Sequence, residues 1–143
     1  MTYAMLVTVE ANRYDLAFPD CPGCAASAPT EATIAAHGQA ALIAWLEAAL
    51  LRGEVPPRPR TKVRVRGKEK VQRLHLPLQL ATKLQLRWSR QDLGLTQADL
   101  ARRMGTQQPL IARLERPGVT MNLRTMERAF KALGLKVSLR FER

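Results

Sequence analysis

Only two of the 143 residues are cysteine, Cys21 and Cys24, and only two are histidine, His37 and His75. Two thiols so close together make no disulfide framework, which points to a reducing cytoplasm. As a zinc site, Cys21-Pro22-Gly23-Cys24 lacks a second pair of ligands. A thioredoxin-like site would open a helix after a strand, whereas here a Pro-Gly turn falls between expected strands. No metal or cofactor is therefore expected, and the two thiols read as half-buried turn residues. No segment approaches the roughly 20 apolar residues of a membrane helix. Met1–Glu10 has no basic start and no cleavage site, so it is not a secretion signal. Acidic residues number 12, and the nearest to a cluster is Glu10, Asp15 and Asp20, too little for a metal-dependent nuclease. No Ser/His/Asp grouping, phosphate-cradling loop or internal repeat occurs. The chain is expected not to be an enzyme.

What the chain does have is positive charge: 23 Lys and Arg, for a net of +11. It is unevenly spread. Residues 1–57 contain two basic and six acidic residues, net −4, while residues 58–143 carry net +15. Such asymmetry argues for two modules, of which only the second suits a polyanion such as nucleic acid.

The first module alternates. Tyr3, Met5, Val7 and Val9 share one side, and after a turn at Ala11–Asn12 so do Tyr14, Leu16 and Phe18, which reads as a β-hairpin with one buried face. A third strand is expected near Cys24–Ala28. A long helix follows, capped by Thr30, with an inner face of Ile34, Ala41, Leu42, Trp45 and Ala49 and a stop at Gly53. Pro56, Pro57 and Pro59 forbid regular structure, and Arg58–Arg73 holds eight basic residues and one acidic. Lys62, Arg64, Arg66 and Lys68 interleave with Val63 and Val65, a hint of an exposed strand, although a solvated linker (56–73) is the plainer reading. Val71–Leu78 is expected to close the sheet.

Beyond Pro77 the pattern turns helical, with Leu80, Leu84 and Trp88 on one face. Leu95–Glu115 then reads LTQADLARRMGTQQPLIARLE. Thr96 and Asp99 form a capping box, so a helix starts at Gln97. Leu100, Ala101 and Met104 face inward, and Gly105 takes a bend that costs glycine little. Pro109 is tolerated in the first turn of the next helix, which buries Leu110 or Ile111 together with Leu114. The spacing Gln97, Leu100-Ala101, Gly105, Ile111, Leu114 resembles the XRE/Cro family of helix-turn-helix DNA-binding domains. The resemblance implies that Gln97 bonds a phosphate, that Gln107, Gln108 and Arg113 face the major groove, and that Pro109 stands at the same surface. Gln107 departs from the Ser or Thr usual in that family, and Pro109 and Leu110 replace more polar residues, which narrows the expected base readout.

Near the end, Asn122 caps a helix with an inner face of Leu123, Met126, Phe130 and Leu133, stopped by Gly134. Leu135, Val137, Leu139 and Phe141 then alternate with Lys136, Ser138, Arg140 and Glu142, the pattern of a strand. It needs a partner edge, either in a two-fold mate, giving a homodimer or higher even oligomer, or within the chain.

The segment Phe18-Pro19-Asp20-Cys21-Pro22-Gly23-Cys24 and the helix ending LLRGEVPPRP resemble the HicB antitoxin family. LPLQLATKLQL leading into LTQADLARRMG, and the closing ALGLKVSLRFE, are similar to its subgroup with an appended helix-turn-helix. The resemblance implies a partial RNase H-like β-β-β-α-β domain without nuclease activity, a HicA-like mRNA-cleaving toxin as protein partner, and repression of the protein's own operon through operator DNA. The expected class is α+β: a toxin-binding domain at 1–78, then a helix-turn-helix and dimerisation domain with a C-terminal β-strand at 79–143. The alternative is a stand-alone repressor whose N-terminal domain senses a ligand or another protein.

Overall fold

The computed structural model describes all 143 residues, which divide into two units, Met1–Pro77 and Leu78–Arg143. In the first, strands β1 (Thr2–Glu10), β2 (Arg13–Ala17) and β3 (Ala25–Ala28) form an antiparallel meander. A single 3₁₀ turn at Glu31–Thr33 leads into helix α1 (Ile34–Leu51), and strand β4 (Lys70–His75) returns antiparallel to β1. The sheet order is β3-β2-β1-β4, which puts β1 at its centre and explains the burial of every residue from Tyr3 to Val7. The β-β-β-α-β order implied by the resemblance is the order found.

Helix α1 departs from the expected face. Its buried stripe is Ile34, Gly38, Leu42 and Leu46, continued by Ala49 and Leu50, and Trp45 is only half-buried. The four-residue stripe wins because Gly38 has no side chain, so the helix settles close on β1: a Cβ there would collide with the Met5 thioether. Glu31–Leu51, at mean hydropathy 1.4, is long and apolar enough by length and composition to span a membrane, contrary to the sequence expectation. Its inner stripe is instead part of the first unit's core, with Leu42 and Leu46 fully buried.

β4 stops at His75 rather than Leu78, because Pro77 cannot extend a ladder and Leu78 opens the next helix. Residues 54–69 form no strand despite the alternation around Val63 and Val65. The expected C-terminal strand is also absent: 135–143 has no regular structure, since no strand edge within the chain pairs with it, and Leu135, Leu139 and Phe141 are exposed.

The second unit contains helices α2 (Leu78–Asp92), α3 (Gln97–Met104), α4 (Gln108–Leu114) and α5 (Leu123–Ala132). Its core joins Leu86 of α2 with Leu100, Ala101 and Met104 of α3, Ile111 and Leu114 of α4, and Met126, Ala129 and Phe130 of α5. Leu123, expected inside, is exposed, and Ala129 takes its place. Leu123 is the first residue after the Asn122 cap, where the helix has not yet turned its side chains onto the core.

Candidate nucleic-acid interface

The sequence between Thr96 and Leu114 folds as two short helices around a glycine bend. The Thr96 hydroxyl accepts from the Asp99 amide, and the Asp99 carboxylate accepts from the Thr96 amide, closing the capping box that starts α3 at Gln97. Gly105 ends α3 at φ +66, a left-handed conformation that a β-carbon would penalise. Gln107 is the extended residue before α4, with no side-chain cap, and Pro109 lies in the first turn where its missing N–H costs nothing. Ile111 and Leu114 are buried and fix the roll of α4 about its axis.

That roll decides which side chains face solvent. Gln107, Gln108, Pro109 and Arg113 are all exposed on or just before α4, whereas Gln97 is half-buried at the start of α3. Gln97 and Gln108 are brought together: Gln108 Nε2 donates to Gln97 Oε1 at 2.7 Å. Gln97 Nε2 in turn donates to Glu115 Oε2 at 3.0 Å. A primary amide has two donor hydrogens and an oxygen with two lone pairs, so each Gln retains hydrogen-bonding capacity beyond these contacts.

Glu115 is the anchor of this chain of bonds, and its side chain is fully buried. Arg90 approaches it through Nε at 2.7 Å and Nη2 at 3.0 Å, and Arg87 through Nε at 3.2 Å. Burial pushes the Glu115 carboxyl up, but hydrogen bonds from Arg90 and Gln97 and the charges of Arg90 and Arg87 outweigh it and hold the group below its ordinary value. Two further side chains of α2 tie down the same region. Lys83 Nζ donates to the Leu114 carbonyl at 2.9 Å, and Gln79 makes a reciprocal pair with the Met121 backbone. Burial depresses the Lys83 ammonium, whose bond to a helix-end carbonyl uses the partial negative charge found there.

The apolar pattern of the sequence did not reveal this scaffold. Its signal was the spacing of Gln79, Lys83, Arg87 and Arg90, a second stripe at three- and four-residue intervals that looks like a solvated face. Buried Arg and Lys at such positions require partners, and Glu115 directly after Leu114 is the one acidic residue in LIARLERP.

In the first unit, Cys21 and Cys24 are free and both buried, deeper than the half-burial expected. The Cys24 amide donates to the Cys21 carbonyl across the Pro-Gly turn, and the Cys24 thiol reaches the Ala41 carbonyl. Burial pushes the Cys21 thiol up to about 12, so it is a packing residue rather than a thiolate.

Residues 84–142 match the family model described as a helix-turn-helix domain, so the second unit carries such a domain. Two solved structures are similar to the chain over 54% of its length, each at 21% identity and a TM-score of 0.48. One is described as a HicA3 and HicB3 toxin-antitoxin complex, of which the matched chain is 99% covered. The other is the HicB3 antitoxin crystal structure, of whose chain this protein spans 62%. Among curated proteins, none matches the chain.

Proposed function

We propose that the protein is a cytoplasmic, non-enzymatic antitoxin and autorepressor. Its first unit covers a HicA-like mRNA-cleaving toxin, and its second binds the operator of the shared operon. The observation that carries this reading is the joining, in one chain, of a helix-turn-helix domain to a β-β-β-α-β unit bearing the HicB-like FPD-x-PGC and LLRGEVPPRP segments. Within the first unit, the part that precedes the basic segment, residues 1–57 at net −4, also suits a basic, RNA-handling partner.

On DNA, Gln108 would bond adenine N6 and N7, and Arg113 a guanine or a phosphate. Gln97, oriented by Glu115, would spend its remaining donor on a backbone phosphate and so fix register. Gln107 and Pro109 would frame the same contact. Two copies, joined through the apolar 135–143 segment, would match a palindromic site.

Expression of the small reading frame beside this one tests the reading. Growth arrest relieved by co-expression supports it; arrest that this chain does not relieve overturns it. A second reading, repression controlled by a small ligand, draws on a cleft of about 490 Å³ in the first unit lined by Val7, Val9, Tyr14, Ile34 and Lys70. It would be favoured if no neighbouring toxin existed.

A further inference from the structure

The first unit carries a basic segment that the proposed function leaves unused. Residues 58–73 hold net +7, which turns a unit that is net −4 up to residue 57 into one that is net +3. A solvated linker would account for the charge but not for how this segment is fastened. The Tyr3 hydroxyl, on a fully buried side chain, donates to the Pro57 carbonyl at 2.7 Å. Asp20, whose side chain is 2% exposed, accepts both the backbone amide and the guanidinium of Arg60, and Arg60 also donates to the Pro19 carbonyl. Arg73 of β4 donates to the carbonyls of Arg60 and Thr61. At the far end, Gly67 sits at φ +57 in a turn closed by Arg66 and Glu69, whose carboxylate accepts the Arg66 amide.

The segment is thus a strap fixed at its base and folded back at its tip. Arg60, Arg73 and Glu69 are spent on that architecture. Lys62, Arg64, Arg66 and Lys68 are exposed, and their side chains have no hydrogen bond or ion pair within the protein. Four such cations on an anchored strap repel one another, a cost that the fold itself does not recover. A line of phosphates would recover it.

We propose that the strap is a second phosphate-contacting surface, which grips the backbone of double-stranded DNA outside the bases read by α4. The proposal rests on the reading of the second unit as DNA-binding. Covalent linkage to that unit is what favours DNA over RNA, because the two surfaces would then act as linked modules on one duplex. The contacts are sequence-independent, so they add affinity and salt dependence without altering base preference.

The test is the full-length chain carrying Lys62→Gln, Arg64→Gln, Arg66→Gln and Lys68→Gln together. None of these side chains takes part in the anchors, so the strap keeps its place. Binding of fluorescent DNA from the protein's own upstream region is measured by anisotropy across a salt series. Each lost phosphate contact removes about 0.9 from the slope of log K against log salt, so the variant's slope should be shallower by about 3 to 4. Its preference for that DNA over a scrambled duplex should not change. A wild-type chain that binds no DNA overturns the DNA-binding reading of the second unit. Wild-type binding with an unchanged slope in the variant overturns the strap proposal alone. A larger loss on duplex RNA of equal length than on DNA also overturns it, in favour of an RNA surface.

Discussion

The side-chain amides of Gln97 and Gln108 meet at 2.7 Å, so the first residue of α3 holds the first residue of α4. The bond orients an exposed α4 side chain through a half-buried one, which is itself held by a buried carboxylate. If α4 reads DNA as proposed, its surface would be set before DNA arrives, and less side-chain entropy would be lost on binding.

Gln108→Ala and Arg113→Ala should each weaken operator binding by about 1–3 kcal/mol, as expected for a lost base contact. Gln97→Ala should weaken it too, partly by releasing Gln108. The Gln97→Ala/Gln108→Ala double variant should therefore lose less than the sum of the singles, since the two side chains act through one bond. Toxin neutralisation should survive all of these changes. Anisotropy titrations on the four proteins check the first claim and growth rescue the second; additive losses would mean that the 2.7 Å contact does not matter on DNA.

Glu115 is buried between two guanidinium groups, so the second unit should be sensitive to the loss of its charge. Glu115→Gln keeps the shape but takes away the carboxylate charge that Arg87 and Arg90 share, a change of the kind that costs about 3–5 kcal/mol when a buried pair is broken. Urea unfolding of the full chain, followed at both tryptophans, measures it. The folded carboxyl titrates below its ordinary value of 4.5, so its contribution is fully present above that value and disappears as pH falls through the lower, folded one. Wild-type stability should decline from about pH 4.5 downward. The variant should show a weaker decline over the same range, and an equal one would assign the acid sensitivity to other groups.

The apolar alternation and helix punctuation were legible because they follow local rules. Thr96, Gly105, Asn122 and the hairpin turn at Ala11–Asn12 each act within a few residues, and all stand where the sequence puts them. What was not legible depends on pairs far apart in the chain. Asp20 looked like a solvated turn acid, yet it clamps Arg60, 40 residues away. Arg87 and Arg90 took no part in the apolar pattern of the sequence, yet they converge on Glu115. The α1 face was misjudged because Gly38 adds no hydrophobicity to a pattern; it acts by letting the helix approach Met5. The C-terminal alternation predicted a strand that does not form, because a strand exists only with an edge to join.

The Gly38 contact can be probed without touching either proposed binding surface. Gly38→Ala places a methyl group against the Met5 thioether in a filled core, and overpacking of this sort costs about 1–3 kcal/mol. Met5→Val in the same chain shortens the obstructing side chain and suits a strand, so it should return part of the loss. Thermal unfolding of the two single variants and the double variant measures the coupling. If Gly38→Ala is neutral, Met5 has room to rotate away and the close approach is not a requirement of the fold.

The nine residues Leu135–Arg143 carry three exposed large apolar side chains, with Phe141 91% exposed. An alternating apolar segment left in solvent would gain most by forming a strand against an identical edge, because a two-fold pair satisfies its backbone groups and covers both apolar sides at once. Removing Leu135–Arg143 should therefore lower the mass seen by light scattering, and Leu139→Asp with Phe141→Asp should do the same without shortening the chain. The core of the second unit includes Leu133 but only Val137 from the last nine residues, so both variants should keep their helical circular-dichroism signal. Operator binding should fall more steeply on dilution, since half-site contacts alone are weak. A mass unchanged by both variants would place the oligomer contact elsewhere, or leave the protein a monomer that meets its palindrome one half-site at a time.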